Sequence, residues 1–310
     1  MSERLFARMA VIGCGLIGSS VIRAARAKDI VGEVAVADVS PAVLDRVRAL
    51  GFADTVTADA AEAARHADLV VLAAPPLAIG QIAAEVARKL KPGAIVTDVG
   101  SVKTVVAEAF AASLPSGVFA IPGHPIAGTE ESGPDAGYAT LFAHRWTILT
   151  PQPRQDEPYR AAVARLTAFW EALGANVELM DERHHDLVLA VTSHLPHLIA
   201  YNIVGTAADL EEVTRGEVIK YSAGGFRDFT RIAASDPIMW RDVFLANKDA
   251  VLEILGRFTE DLQAASRAIR WGEGDKLHEL FTRTREIRRG VIEAGQETPE
   301  PDFGRHHDEG

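Results

Sequence analysis

His124 stands in the run Ile121-Pro122-Gly123-His124-Pro125-Ile126-Ala127-Gly128-Thr129-Glu130. Glycine and prolines around it make a stiff loop, and histidine is the side chain best suited to take a proton near neutral pH. Ser101 lies in Asp98-Val99-Gly100-Ser101-Val102-Lys103. It either caps the following helix or turns its hydroxyl toward a ligand. Lys103 either pairs with Asp98 or neutralises a substrate. In Ser193-His194-Leu195-Pro196-His197 the two histidines are three apart, a spacing that puts both on one helix face, while Pro196 disturbs the backbone ladder. Gly224-Gly225-Phe226-Arg227-Asp228-Phe229-Thr230-Arg231 is followed by a segment ending at Trp240. Two arginines and an acid make either an anion clamp or a structural Arg–Asp pair, because the planar guanidinium matches a carboxylate. His184 and His185 stand at a helix start beside Asp181, Glu182 and Asp186, and His184 reads as part of a solvated helix end. With one cysteine and no H-E-x-x-H, no metal site is expected.

The elements that must hold these groups announce themselves at the N-terminus. The apolar run Ala10-Val11-Ile12 meets Gly13-Cys14-Gly15-Leu16-Ile17-Gly18, and the next apolar run ends in Asp38. This is a G-x-G-x-x-G turn between strand and helix, with an acid about 20 residues beyond the last glycine. Gly13 permits the tight turn, Gly15 lets backbone approach a pyrophosphate, and Gly18 lets helix pack on strand. Leu16 and Ile17 open the helix whose N–H groups would hold the anion. Asp38 would accept the ribose hydroxyls and repel a 2′-phosphate, and no arginine follows it, so NAD is expected rather than NADP. Ala74 and Pro75, at the end of a later strand, lie where ligands of such sheets bind, or form an ordinary turn.

Composition limits the remaining classes. The chain has 310 residues, 48% of them apolar, and a net charge of −11. One large or two medium domains are expected, and general binding to nucleic acid or a membrane surface is not. Cys14, the single cysteine, fills the glycine turn and fits a reducing, cytoplasmic setting. The N-terminus runs directly into the first strand without a signal peptide, and no apolar run reaches membrane-spanning length.

Strand patterns at 9–13, 34–38, 69–73, 94–98, 118–121 and 146–149 alternate with helical patterns at 16–27, 41–50, 77–90 and 102–114. That alternation predicts an α/β fold with a doubly wound, mostly parallel sheet. A Pro-rich stretch at 151–158 is a boundary or a loop. A helix at 159–173 and a strand at 176–180 could append another unit to the sheet. After Asp181 only helical patterns remain, at 182–208, 237–245, 249–268 and 274–292. The expected organisation is a dinucleotide-binding domain over 1–180, a helical domain over 181–295 and a disordered tail over 296–310. His306 and His307 in that tail read as solvated. The last long helices are apolar on more than one stripe, which predicts a homodimer through the helical domain.

Taken in order, Asp98–Lys103, Gly123–Gly128, Ser193–His197, and Gly224–Ala233 with Ser235–Trp240 resemble the prephenate/arogenate dehydrogenase family of tyrosine biosynthesis. The resemblance runs from about Met9 to Gly290. It implies a Rossmann domain with a helical dimerisation domain, NAD as cofactor, and oxidative decarboxylation of prephenate or arogenate. By similarity, His124 is the base and Ser101 orients it and contacts the same hydroxyl. Arg231 and His197 hold the substrate, and Glu130 gates the mouth. Asp228 orients an arginine, and His185 and Trp240 stand behind the site. Two rival readings are a β-hydroxyacid-type dehydrogenase and a non-catalytic NAD-binding sensor. The first uses a catalytic lysine in its second domain, and neither Lys220 nor Lys248 lies in a comparable motif. The second has no use for His124, His197 and Arg231.

Overall fold

The computed structural model of the chain describes residues 4–129, 131–154, 156–209 and 224–293. Five strands and their crossovers carry the first half: β1 (Phe6–Ile12), α1 (Leu16–Ala27), β2 (Val31–Ala37), α2 (Pro41–Leu50), β3 (Thr55–Thr57), α3 (Ala60–Ala64), β4 (Leu69–Leu72), α4 (Pro76–Val86) and β5 (Ile95–Asp98). After α5 (Thr104–Ser113), β6 (Phe119–Ala120) completes a six-stranded sheet in the order β3-β2-β1-β4-β5-β6. Every pairing in it is parallel, as expected of a doubly wound fold.

The central strands are apolar throughout because both faces are covered. Met9, Val11, Val34, Val36, Leu69 and Val71 face one core. Ala10, Ile12, Ala35, Ala37, Val70 and Leu72 face the other. The period-2 alternation of side chains divides each strand between the two. Ser40 caps α2, accepting from the Val43 N–H, with Pro41 at the first helical position.

Two expectations need correction. The later strands do not extend the main sheet. β7 (Gly123–Pro125), β8 (Trp146–Leu149) and β9 (Asn176–Leu179) form a second sheet in which β7 and β8 are antiparallel and β8 and β9 parallel. His124 therefore lies on a short strand rather than a loop, registered opposite Ile148. The stretch at 151–158 runs into α6 (Glu157–Ala172), which Asp156 caps and whose first turn holds Pro158. Second, one helical run, Glu182–Asp209, is long and apolar enough by length and composition to cross a membrane. Its face nevertheless carries buried His185, Asp186 and His194, as befits a helix packed into a polar site.

That run has three parts: α7 (Glu182–Leu189), a π-helical turn (Ala190–His194) and α8 (Leu195–Asp209). Pro196 cannot donate to the Thr192 carbonyl, and the ladder widens one turn earlier, with the Leu195 N–H reaching Ala190. Beyond come α9 (Gly224–Thr230), a 3-10 turn (Arg231–Ala234), α10 (Pro237–Ala246), α11 (Lys248–Arg270) and α12 (Gly274–Glu293). Among the described residues no strand follows β9. The chain packs as two compact units, Met1–Leu252 and Glu253–Gly310. The second unit exposes Leu262, Ile269, Trp271, Phe281 and Ile287. Glu130, Lys220 and the 296–310 tail lie outside the described residues.

Candidate active site

The glycine turn has the shape its spacing predicts. Gly13 adopts φ +94°, and a β-carbon there would come 2.2 Å from the Ala73 carbonyl oxygen. A β-carbon on Gly18 would come 2.2 Å from the Gly13 carbonyl oxygen. Gly15 differs: a β-carbon there would meet no atom within 4 Å. The first and third glycines are thus demanded by the protein's own packing, and the second faces open space. No side chain caps α1 at Gly15, so its first N–H groups face that space too. This is a cradle fitted to a pyrophosphate.

Asp38 is tied to the same turn. One carboxylate oxygen accepts the Cys14 N–H at 2.9 Å and the other accepts the Ser40 N–H at 2.9 Å. The carboxylate is therefore held beside the cradle. Val39 is almost wholly exposed. Cys14 is a buried free thiol whose pKa is pushed up to about 12 by burial first and then by Asp38. Ala74 and Pro75 follow β4, and Pro75 precedes the first residue of α4.

At the end of β5, Asp98 and Lys103 form a fully buried ion pair. Lys103 Nζ also donates to the Gly123 carbonyl at 2.6 Å, and the Gly123 N–H donates to Asp98 at 3.0 Å. Asp98 further accepts the Gly100 N–H at 2.8 Å. Burial pushes each partner toward its neutral form and the opposite charge pulls it back. Of the two readings of Lys103, the structure selects the pair with Asp98. Its consequence is positional: both peptide groups of Gly123, next to His124, are gripped by one buried pair.

His124 is buried, and its Nδ1 lies 2.9 Å from His185 Nε2. His185 Nδ1 lies 2.9 Å from an Asp186 carboxylate oxygen. Asp186 also accepts the Lys103 N–H at 2.7 Å and the Thr104 N–H at 2.9 Å. It therefore caps α5 from a helix 82 residues away. Ser101 is not that cap. The partner on His124 Nδ1 is His185. His185 is fully buried with both ring nitrogens engaged.

Proton positions follow from the end of this chain. Asp186 keeps its proton only at low pH, its pKa being lowered by His185 and by the Thr104 and Lys103 N–H groups against the opposing effect of burial, the largest single influence. The carboxylate accepts from His185 Nδ1–H, which leaves His185 Nε2 to accept from His124 Nδ1–H. His124 Nε2 is left with its lone pair. Burial above all, then the neighbouring His185, Lys103 and His194, hold the His124 imidazole well below its ordinary value of 6.5. His124 is a neutral imidazole at neutral pH.

His197 stacks on Trp240 with ring centroids 3.6 Å apart, and its Nδ1–H donates to the Ser193 carbonyl at 2.9 Å. Its Nε2 is then an acceptor. Burial lowers its pKa, with Arg231 adding to the effect, so the Arg231 charge is felt at this ring. His194 meets the same Trp240 edge-on at 6.0 Å. Trp240 itself packs with Val102 and Val243 in a small apolar cluster beside the Asp98–Lys103 segment. Asp228 pairs with Arg227 at 3.1 Å.

Two groups here escaped sequence reading: Asp186 and Asn247, the latter buried at the end of α10. Asp186 had the signal of an acid beside a histidine at a helix start, which is also what a solvated end looks like.

A doubly wound sheet with an open glycine cradle, and a buried neutral histidine held at a neighbouring strand, fit a dinucleotide-dependent oxidoreductase. Residues 21–179 match the prephenate dehydrogenase nucleotide-binding domain, and residues 181–283 match the prephenate dehydrogenase dimerization domain. The chain belongs to the prephenate dehydrogenase family. It is 44% identical to the cyclohexadienyl dehydrogenase of Zymomonas mobilis, over 92% of this chain and 96% of that one. Its fold matches the prephenate dehydrogenase of Aquifex aeolicus, solved with hydroxyphenyl propionate and NAD+ (TM-score 0.83, 33% identity, 92% of this chain and 98% of that one). It also matches Synechocystis arogenate dehydrogenase (TM-score 0.76, 27% identity, 92% and 99%).

Proposed function

We propose that this protein oxidises and decarboxylates prephenate, arogenate or both, with NAD+ as hydride acceptor, in tyrosine biosynthesis. The observation that carries this reading is the Asp186–His185–His124 chain, which leaves one buried imidazole nitrogen as a neutral base. NAD+, held at Gly13, Gly15, Leu16, Ile17, Gly18, Asp38, Ala74 and Pro75, supplies the two-electron acceptor.

The substrate ring carries a C4 hydroxyl and, opposite it, a carboxylate. His124 Nε2 takes the hydroxyl proton as C4 loses hydride and gains carbonyl character. The bond to the opposite carboxylate then breaks, CO2 leaves, and its electron pair makes the ring aromatic. His124 returns the proton to the ring oxygen, so atoms and charge balance. Asp186 stabilises, through His185, the cation that His124 carries between the two transfers. Ser101 contacts the same hydroxyl, Arg231 grips a carboxylate, and His197 on its Trp240 platform meets the side chain. Asp228 and Glu130 act at the rim, with Glu130 pairing a cation at the mouth.

The functional boundary falls near Met180, with the helical part from residue 181 serving substrate binding and dimerisation. The exposed apolar side chains of Glu253–Gly310 supply the face for a second copy, and the protein acts in the cytoplasm.

The test is NADH or NADPH formation with prephenate and with arogenate, each offered NAD+ and NADP+. Turnover of either substrate with NAD+ supports the reading. Binding of NAD+ without turnover of either returns the chain to a β-hydroxyacid dehydrogenase or a sensor.

A further inference from the structure

The reaction as written leaves His194 without a part. It is fully buried. Its Nδ1 lies 3.1 Å from Asn247 Nδ2. The same Asn247 nitrogen lies 2.8 Å from the Asp186 backbone carbonyl oxygen.

These two contacts determine the proton positions. A carbonyl oxygen only accepts, so the carboxamide must turn its NH2 group toward Asp186. That NH2 is then also the group facing His194, whose Nδ1 must accept. The His194 proton therefore sits on Nε2.

We infer that Asn247 is a positioning residue for this reaction: its carboxamide holds His194 as the neutral Nε2–H tautomer and ties that ring to the peptide of the relay acid. The inference rests on the function proposed above.

The reason for holding His194 neutral is its company. His194 and His124 feel each other's charge, and His185 and His197 press on His194 as well. A cation on His194 would oppose the one that forms on His124. Burial already lowers the His194 pKa to about 4, although Asp186 and the Ser101 backbone pull it up. A donor on Nδ1 removes the remaining site at which Asp186 would favour a proton. The π-helical turn sets the ring here, since His194 is its last residue.

The experiment is long-range proton–nitrogen NMR on the full chain with nitrogen-15 histidine, His194 being assigned from the signal lost in His194→Asn. The wild type should show His194 as Nε2–H. Asn247→Asp, equal in size but an acceptor, should move it to the Nδ1–H or charged form. Turnover of Asn247→Asp should fall about tenfold or more, with KM for NAD+ little changed. A wild-type His194 that is Nδ1–H or charged overturns the inference, whether or not the variant folds. So does a folded Asn247→Asp with wild-type turnover. Failure of the proposed reaction would appear separately, as a wild type inactive on both substrates.

Discussion

His124 Nδ1 and His185 Nε2 face each other at 2.9 Å, their rings 66° apart in plane. Two imidazole nitrogens at this distance share one proton, and the acid behind His185 decides which ring owns it. His124→Asn keeps a polar group there and removes the base, so kcat should fall about 10²–10⁴-fold with a modest change in KM. Near-normal turnover would reject the base. The pH profile carries the sign of the same argument. Neutral His124 is the active form and its pKa lies well below 6.5, so kcat/KM should hold as pH falls through 6.5 and drop only further down. Loss already near neutrality would contradict a buried base.

Asp186→Asn tests the far end of the relay. The amide still has an oxygen for one backbone N–H, but it no longer offers a charge to His185. We expect kcat to fall about 10–100-fold and the α5 cap to lose about 1 kcal/mol, read by steady-state kinetics and thermal unfolding. Unaltered kcat would show that His124 works without the relay.

Lys103→Met leaves Asp98 charged and unpaired in a site of zero exposure. Breaking such a pair costs about 3–5 kcal/mol, to be read from urea unfolding. Because Lys103 also holds the Gly123 carbonyl, residual activity should fall too. A loss below about 1 kcal/mol would mean that the pair is neutral in the folded protein.

Arg231→Gln should act mainly on KM. Removing one charge-assisted contact to a carboxylate costs about 2–5 kcal/mol when the pair is buried, and the loss should appear in KM for the organic substrate and not for NAD+. An unchanged KM would move the clamp to Arg227.

Asp38→Ala removes the carboxylate held beside Gly15 by the Cys14 and Ser40 N–H groups. NAD+ should bind more weakly, and the gap to NADP+ should narrow because the repulsion of a 2′-phosphate is gone. Equal affinities before and after, by titration calorimetry, would take Asp38 out of the site.

Residues close in sequence spoke for themselves. The glycine turn, Asp38, the alternation of strands with helices and the cap at Ser40 are local matters, set by backbone freedom, side-chain period and a few hydrogen bonds within one or two elements. His124, Ser101, His197 and Arg231 were likewise legible as candidates, because each sits in an unusual local context. Tertiary structure decided what they do to one another. His185 meets His124 across 61 residues, Asp186 caps a helix across 82, and Asn247 reaches His194 across 53. No local pattern marks such contacts, since they exist only once α7 packs against β7 and the start of α5. Lys103 shows the reason most plainly. A lysine is by default a surface residue, and only the packing that removes water on every side makes it the buried partner of Asp98 and the anchor of the strand that carries His124.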